Sequence, residues 1–329
     1  QMNQKSSPLL EKILQGDRRA MAKAITLVES TNSESFEQGQ ELLDSLLPHT
    51  GKALRIGITG VPGVGKSTFI ETFGLFLIKL NHRVAVLAVD PSSPITGGSI
   101  MGDKTRMKEL SKHPDSFIRP SPSSGVLGGV ARKTRETILI CEAAGYDIVF
   151  VETVGVGQSE TIVDSMVDLF MLLILPNSGD ELQGIKKGVL ELADLIVVNK
   201  SDGIQESQAI TTQAEYRKAM QLLSSSKKSW EPKILRCSSV EKLGMETIWE
   251  AVKKFRRVLQ NSGEWEQQRR VQSKKWMWTL VEEGLLNNFH KNETIKKSIP
   301  EMDKSVASGE IMPANAAKKL LEKWESSKK

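Results

Sequence analysis

The stretch LRIGITGVPGVGKSTFIETFGLFLIKL, residues 54–80, decides the fold of this chain. A short apolar run leads into the turn Gly60-Val61-Pro62-Gly63-Val64-Gly65-Lys66-Ser67, and a helical run follows. This order of strand, G-x-x-x-x-G-K-S turn and helix is the context that a phosphate-binding loop requires. Its glycines let backbone N–H groups turn inward, and the helix start adds partial positive charge. We therefore expect Lys66 to reach the β- and γ-phosphates of a nucleotide and Ser67 to ligate Mg²⁺.

Short apolar runs continue to alternate with longer amphipathic stretches on the C-terminal side of this segment. The runs are RVAVLAVD (83–90), DIVFVET (147–153), DLFMLLIL (168–175), DLIVVNK (194–200) and KILRCSS (233–239). Such strands, separated by helices, predict an α/β fold of the P-loop NTPase type, with a mostly parallel sheet covered by helices on both faces. Right-handed crossovers place the carboxyl ends of parallel strands along one edge, where the motifs described next are expected to meet.

The two ends of the chain have helical rather than strand-like patterns. Apolar residues recur at helical spacing over residues 8–30, and a second helix is expected over 34–47. Beyond residue 262 we expect helices over 264–290 and 313–325, the latter with Pro313 near its start. The predicted domains are a helical extension (1–50), a nucleotide-binding domain (51–260) and a helical dimerisation arm (261–329).

The helix over 264–290 carries apolar residues around more of its circumference than one buried face needs. One interpretation is dimerisation with Trp276 and Trp278 as anchors. The other is packing against its own domain.

Three carboxylates lie where a phosphate loop needs ligands for a metal. Asp90 and Glu152 each close a predicted strand, and Asp103 lies in the loop after the strand that Asp90 ends. We expect them to hold Mg²⁺ or its bound waters. Gly155, shortly after Glu152, can donate its N–H to a γ-phosphate and move when that phosphate leaves.

The tetrapeptide Asn199-Lys200-Ser201-Asp202 follows another predicted strand and suits recognition of guanine. The carboxylate of Asp202 can accept from the ring N–H and exocyclic amine of guanine, whereas adenine has neither donor on that edge. The stem of Lys200 can pack on the base, and Asn199 can tie this loop to the phosphate loop. Cys237, Ser238 and Ser239 close the next strand and could bind the guanine carbonyl through backbone N–H groups.

Bulk properties exclude several other classes of function. The net charge of +5 is small for 329 residues, no nucleic-acid-binding signature accompanies it, and we expect no nucleic-acid partner. The two cysteines, Cys141 and Cys237, form no CxxC pair or Cys/His cluster, which argues against structural zinc or a disulfide framework. No apolar run is long enough to span a bilayer, so we expect no membrane association. The expected compartment is the cytoplasm, or the mitochondrial matrix if a presequence has been removed.

Several longer segments carry a family resemblance. AVDPSSPITGGSIMGDKTRM (88–107), FIRPSPSSG (117–125), ETVGVGQSE (152–160) and GDELQGIKKG (179–188) resemble the MeaB/ArgK/MMAA family. The family comprises G-proteins that chaperone adenosylcobalamin-dependent methylmalonyl-CoA mutase, and the resemblance covers residues 54–260.

The resemblance implies a Mg²⁺-dependent GTPase that binds GTP and GDP and forms a homodimer. It would gate adenosylcobalamin loading and reactivation of methylmalonyl-CoA mutase or a related acyl-CoA mutase. The implied nucleotide site is made of Gly60, Val61, Pro62, Gly63, Val64, Gly65, Lys66, Ser67, Thr68, Asp90, Asp103, Glu152, Asn199, Lys200, Asp202 and the backbone of 237–239.

The resemblance also implies a mobile switch loop that responds to binding of the mutase. Its members are Gly179, Asp180, Glu181, Gln183, Lys186 and Lys187. Either lysine could stabilise charge on the leaving phosphates, as an arginine finger does elsewhere. The alternative is a solvated lysine pair.

Two other functions remain alternatives. An ATP-dependent kinase would use the same phosphate loop, but Asp202 argues against adenine. A nickel-type metallochaperone GTPase would share the fold, but the sequence has no histidine-rich tail and no Cys/His cluster.

Overall fold

The computed structural model of the chain describes residues 8–30, 32–89, 107–120, 127–153, 159–176, 187–221, 227 and 229–327. The chain divides into two compact units, Gln1–Arg269 and Arg270–Lys329. Among the helices within the described ranges, none combines the length and apolarity that a membrane crossing needs.

A seven-stranded sheet forms the centre of the first unit. Its order is β3-β2-β4-β1-β5-β6-β7, and all neighbouring strands run parallel. The strands are β1 (Leu54–Gly60), β2 (Val84–Val89), β3 (Ser116–Arg119), β4 (Ile148–Thr153), β5 (Leu169–Ile174), β6 (Leu195–Val198) and β7 (Lys233–Arg236). The predicted parallel α/β fold is confirmed, and β1, which leads into the phosphate loop, lies at the centre of the sheet.

Helices pack around the sheet in the first unit, and the second unit is helical. Those of the first unit are α1 (Pro8–Leu14), α2 (Arg18–Glu29), α3 (Ser33–Leu46), α4 (Lys66–Lys79), α5 (Lys108–Lys112), α6 (Leu127–Ala143), α7 (Glu160–Asp164), α8 (Lys187–Leu192), α9 (Glu206–Gln221) and α10 (Met245–Ser262). Helix α11 (Glu264–Lys291) begins in the first unit and continues into the second, where α12 (Glu293–Ala307) and α13 (Pro313–Ser326) follow.

The alternation of side chains along each strand divides the apolar core between the two faces of the sheet. Ile56, Ile58 and Phe150 pack with α4 and α10 on one face. Val149 and Val151 pack on the other face with α1, α2, α3, α6 and α7. The N-terminal helices therefore complete the cover of the sheet.

Three elements differ from the sequence prediction. The helix expected over 8–30 is two helices, because Gly16 turns back with φ 77° and Asp17 caps α2 by accepting from the N–H of Ala20 at 2.8 Å. Strand β3 was missed because only Phe117 and Ile118 of its four residues are apolar and because prolines at 114 and 120 lie on either side of it. Helix α12 was missed because Pro300 lies inside it; Asn292 caps its start.

A buried ion pair anchors the beginning of α11 to the amino edge of the sheet. Arg269 donates from Nε to Asp168 Oδ1 and from a terminal nitrogen to Asp168 Oδ2, both at 2.7 Å. The same guanidinium donates to the carbonyl oxygens of Gly51 and Ala53, just before β1. Asp168 also accepts from the backbone N–H of Arg55 at 2.8 Å, so one cation fastens the helix to the strand that leads to the phosphate loop.

Replacing this arginine should destabilise the first unit. Arg269→Met leaves the buried carboxylate of Asp168 without its cation, which we expect to lower the free energy of unfolding by about 3 kcal/mol. The measurement is urea unfolding followed by circular dichroism. Arg270→Met, at the neighbouring exposed position, is the matched control and should change little. Equal stability of the two variants would contradict the anchoring role.

Candidate functional site

The predicted phosphate loop lies at the carboxyl edge of the sheet, between the end of β1 at Gly60 and the start of α4 at Lys66. Gly63 and Gly65 have φ of 78° and 89°, in the left-handed region that favours glycine. A Cβ on Gly60 would lie 2.6 Å from the carbonyl oxygen of Leu173 on β5. The loop therefore has the tight conformation that a phosphate cradle needs, and its glycines permit it.

Lys66, the first residue of α4, reaches back across this loop. Its Nζ donates to the carbonyl oxygen of Gly60 at 2.8 Å. Burial lowers the pKa of Lys66 because it disfavours the ammonium, while the charges of Glu152 and then Glu160 oppose that effect. A partly desolvated ammonium held across the loop is well placed to bind phosphate oxygens. The next two residues of α4 differ in exposure: Ser67 is half-buried and Thr68 is exposed.

Glu152 lies one residue before the end of β4, between the two neighbouring strands. It pairs in register with Ile58 of β1 and Ala88 of β2 and is only 4% exposed. Next to it, the hydroxyl of Thr153 donates to that of Thr59 at 2.9 Å, which ties the carboxyl ends of β4 and β1 together. The backbone that carries the predicted carboxylate is therefore fixed in the sheet beside β1, the strand that leads into the phosphate loop.

The base-recognition loop, Asn199-Lys200-Ser201-Asp202, is joined directly to the phosphate loop. Asn199 is 1% exposed, and its Nδ2 donates to the carbonyl oxygen of Val64 at 2.8 Å. The same nitrogen lies 3.0 Å from where a Cβ on Gly65 would be. The predicted tie between the two loops is thus present in the structure, and Gly65 leaves the space for it.

The loop after β7 supports Asn199 from the other side. Asn199 Oδ1 accepts from the backbone N–H of Ser239 at 3.2 Å, from the Ser239 hydroxyl at 2.8 Å and from the Cys237 thiol at 3.3 Å. Burial raises the pKa of the Cys237 thiol to about 12, and the Asp202 carboxylate acts in the same direction, against a hydrogen bond with Ser239. The thiol is therefore protonated at neutral pH and can donate.

The backbone N–H groups predicted to bind guanine already have acceptors within the protein. Those of Cys237, Ser238 and Ser239 donate to Val198, Leu243 and the Asn199 side chain, respectively. Their contact with a base stays a prediction.

Lys200 and Asp202 lie on the accessible side of the base-recognition loop. Lys200 is exposed and has φ 56°, unusual for a residue with a side chain, and its Cε lies 4.0 Å from where a Cβ on Gly65 would be. Asp202 is half-buried. The lysine stem therefore runs beside the phosphate loop, and the carboxylate lies close enough to Cys237 to affect its pKa.

Several predicted site residues lie outside the described residues. These are Asp90, Asp103, Gly155, Gly179, Asp180, Glu181, Gln183 and Lys186. For Lys187 the structure describes only the backbone, at the start of α8. Within the ranges that are described, no three His, Cys, Asp or Glu residues form a group that could hold a metal ion.

The sequence prediction missed one residue of this neighbourhood, Glu160. It is the first residue of α7, is 9% exposed and acts electrostatically on Lys66. Its position in ETVGVGQSE, at a helix start soon after Glu152, was the signal available in the sequence.

The assembled groups suit a nucleotide with Mg²⁺. The glycine-rich turn, Lys66 and the helix start favour polyanionic phosphates, and Ser67 and Glu152 carry oxygen atoms of the kind that Mg²⁺ prefers. At the other end of the site, Asn199 holds a loop that carries an accessible carboxylate.

Comparison with known proteins agrees with this geometry. The family described as "Methylmalonyl Co-A mutase-associated GTPase MeaB" matches residues 21–294. The chain is 53% identical to the probable GTPase Rv1496 of Mycobacterium tuberculosis, over 93% of this chain and 91% of that protein. It is 48% identical to the mitochondrial methylmalonic aciduria type A homolog of Mus musculus, over 95% of this chain and 78% of that protein.

A solved structure also matches over nearly the whole chain. The crystal structure of an LAO/AO transport system kinase is 40% identical and superposes with a TM-score of 0.75, covering 95% of both chains. The extent of these matches and the GTPases among the relatives lead to one conclusion: the chain is a P-loop GTPase and belongs to the MeaB family.

Proposed function

We propose that the chain binds GTP across the two joined loops and hydrolyses it to GDP and phosphate in a Mg²⁺-dependent reaction. The hydrogen bond from Asn199 to Val64 is the observation that carries this proposal. It connects a loop suited to phosphates with a loop suited to guanine, so both ends of one nucleotide can be bound at a fixed separation.

The proposed mechanism is in-line attack by water, with catalysis by positioning and charge. Lys66, held by the Gly60 carbonyl, stabilises negative charge on the β- and γ-phosphates. Ser67, Asp90, Asp103 and Glu152 would hold Mg²⁺ and its waters, and the bound ion would neutralise charge on the phosphates. In this mechanism the N–H of Gly155 would donate to the γ-phosphate, and Gly155 would move when that phosphate leaves.

Base selection in this proposal belongs to Asp202, with Lys200 packing on the purine. Ser239 can contribute its backbone N–H to the guanine carbonyl only by sharing or replacing its hydrogen bond to Asn199. Recognition of the base and support of Asn199 are therefore linked through one residue.

We further propose that GTP hydrolysis serves an adenosylcobalamin-dependent acyl-CoA mutase, with methylmalonyl-CoA mutase as the first candidate. The family description names association with methylmalonyl-CoA mutase, and the mouse relative is named for methylmalonic aciduria. The chain would gate cofactor loading and reactivation of the mutase. The switch loop from Gly179 to Lys187 would change conformation when the mutase binds, and Lys186 or Lys187 would then approach the nucleotide.

The second unit supports a proposed homodimer. Its part of α11 exposes large apolar side chains, among them Met277, Trp278, Leu285 and Leu286, and Trp278 is 60% exposed. Trp276 is half-buried. A second copy of the chain would cover the exposed apolar surface, with Trp278 as an anchor.

An ATP-dependent kinase is the second candidate, because the matching solved structure is that of a protein named as a kinase. The two functions require the site to bind different bases. Asp202 favours guanine, whereas a kinase that uses ATP needs a site that accepts adenine. Comparable affinity for ATP and GTP would favour the kinase.

A change at Asp202 should alter the preference for the base. Asp202→Asn replaces an acceptor by an amide that can donate to the carbonyl that xanthine carries in place of the guanine amine. We expect preference to move from GDP toward XDP by about 100-fold or more, measured by competition against a fluorescent nucleotide. Glu206→Gln, which removes a nearby exposed charge, should keep the wild-type order. An unchanged order in Asp202→Asn would contradict the base assignment.

A partner mutase should accelerate hydrolysis. Mixing the chain with an adenosylcobalamin-dependent acyl-CoA mutase should raise the rate of phosphate release at least about tenfold, because a switch residue then reaches the phosphates. Replacing both Lys186 and Lys187 by Ala should reduce this acceleration and leave the rate without mutase unchanged. If no such mutase changed the rate, the proposed partner would be wrong.

A further inference from the structure

Ser239 is bound on two sides by parts of the nucleotide site. Its N–H and its hydroxyl donate to Asn199 Oδ1 at 3.2 and 2.8 Å, and Asn199 donates in turn to the carbonyl oxygen of Val64. On the other side, the hydroxyl of Thr72 donates to the carbonyl oxygen of Ser239 at 2.9 Å. Thr72 belongs to α4, the helix that starts at Lys66. Hydrogen bonds therefore connect the phosphate loop, through Asn199 and Ser239, to the helix that follows that loop.

The contact with Thr72 orients the peptide group between Ser239 and Val240. In a trans peptide, the carbonyl and the N–H of the next residue point in opposite directions. The described residues contain no cis peptide bond. Since the carbonyl of Ser239 points to Thr72 on α4, the N–H of Val240 points away from α4. It does so on a residue that is 71% exposed.

The N–H of Val240 differs from those of its neighbours because it has no acceptor within the part of the chain that the structure describes. Residues 237–239 donate their N–H groups to acceptors within the protein. The N–H of Glu241 donates to the hydroxyl of Ser238 at 3.1 Å. Val240 can therefore donate to a ligand without giving up a hydrogen bond.

The rest of this loop is closed by its own contacts. The N–H of Ser238 donates to the carbonyl oxygen of Leu243 at 3.1 Å, and the N–H of Leu243 donates to that of Ser238 at 3.0 Å. Gly244 has φ 83°, and a Cβ there would lie 2.5 Å from the carbonyl oxygen of Arg236. These contacts fix the ends of the loop. Among the contacts of the described residues, the one that reaches the peptide between Ser239 and residue 240 comes from α4.

We propose that Thr72 is a positioning residue for base recognition, because it orients the Ser239–Val240 peptide so that the N–H of Val240 donates to the carbonyl of guanine. This inference rests on the proposed binding of GTP at this site. Asp202 then recognises the ring N–H and the amine, and Ser239 keeps its hydrogen bonds to Asn199. Adenine carries an amine in place of that carbonyl, so the same N–H also selects against adenine.

The test uses Thr72→Val in the full chain, with Thr137→Val as the matched control. Thr137 is a buried threonine of α6 whose hydroxyl donates within its own helix, to the carbonyl oxygen of Lys133 at 2.8 Å. Affinities for GDP, 6-thio-GDP and inosine diphosphate are measured by competition against a fluorescent nucleotide. In 6-thio-GDP a sulfur, which is a weak acceptor, replaces the carbonyl oxygen of guanine. Inosine diphosphate lacks only the amine.

We expect the wild type to prefer GDP to 6-thio-GDP by about tenfold, the value of one hydrogen bond to the base. In Thr72→Val this preference should fall to about threefold or less, because the N–H of Val240 is no longer aimed at the carbonyl. The preference for GDP over inosine diphosphate, which Asp202 sets, should stay within about twofold of the wild type. Thr137→Val should match the wild type in both preferences, and so should Thr72→Ser, which keeps a hydroxyl.

A residue that only supported the fold would weaken all three nucleotides alike. An unchanged preference for GDP over 6-thio-GDP in Thr72→Val, or an equal fall in both preferences, would therefore overturn the proposal. If Thr72→Val fails to fold, Val240→Pro removes the N–H itself and should lose the preference for GDP over 6-thio-GDP. A wild-type preference in Val240→Pro would also overturn the proposal.

The wild-type measurements separate this inference from the proposed function. If the wild type binds neither GTP nor GDP, the proposed function itself fails. If the wild type prefers GDP to 6-thio-GDP and Thr72→Val behaves as Thr137→Val does, only the role of Thr72 is wrong.

Discussion

The two ends of a nucleotide can be recognised together only when the loops that bind them are held at a fixed separation. In this chain the hydrogen bond from Asn199 Nδ2 to the carbonyl oxygen of Val64 meets that requirement. The asparagine is buried, and its other polar atom is occupied by Ser239 and Cys237. Because a buried amide with satisfied hydrogen bonds has few alternative positions, the phosphate loop, the base-recognition loop and the loop after β7 form one rigid frame.

The parallel sheet places that frame along one edge. Strand β1 ends at the phosphate loop, β6 ends just before Asn199, and β7 ends just before Cys237. Strand β4 carries Glu152 to the same edge. The N-terminal helices and α6 cover one face of the sheet, and Arg269 fastens α11 beside the beginning of β1. Rigidity at the site therefore depends on packing and on an ion pair that lie far from it in the sequence.

The sequence predicted the features that depend on local pattern. A glycine-rich turn between an apolar strand and a helix can be recognised from adjacent residues, and so can the N-K-x-D loop. The features that were missed depend on context. Strand β3 is short and exists by pairing with β2 at the sheet edge, Gly16 divides a continuous apolar pattern, and the pattern of α12 is interrupted by Pro300. Glu160 was missed because its place at this edge depends on the packing of α7, whose Val163 lies against Gly57 of β1.

The most direct test of the frame compares GDP with pyrophosphate in an Asn199→Ala variant. If Asn199 fixes the distance between the two loops, GDP binding should weaken at least about tenfold, and pyrophosphate, which needs only the phosphate loop, should change less than about twofold. Calorimetric titration of the folded variant, checked by circular dichroism, measures both affinities. Wild-type affinity for GDP in this variant would contradict the account.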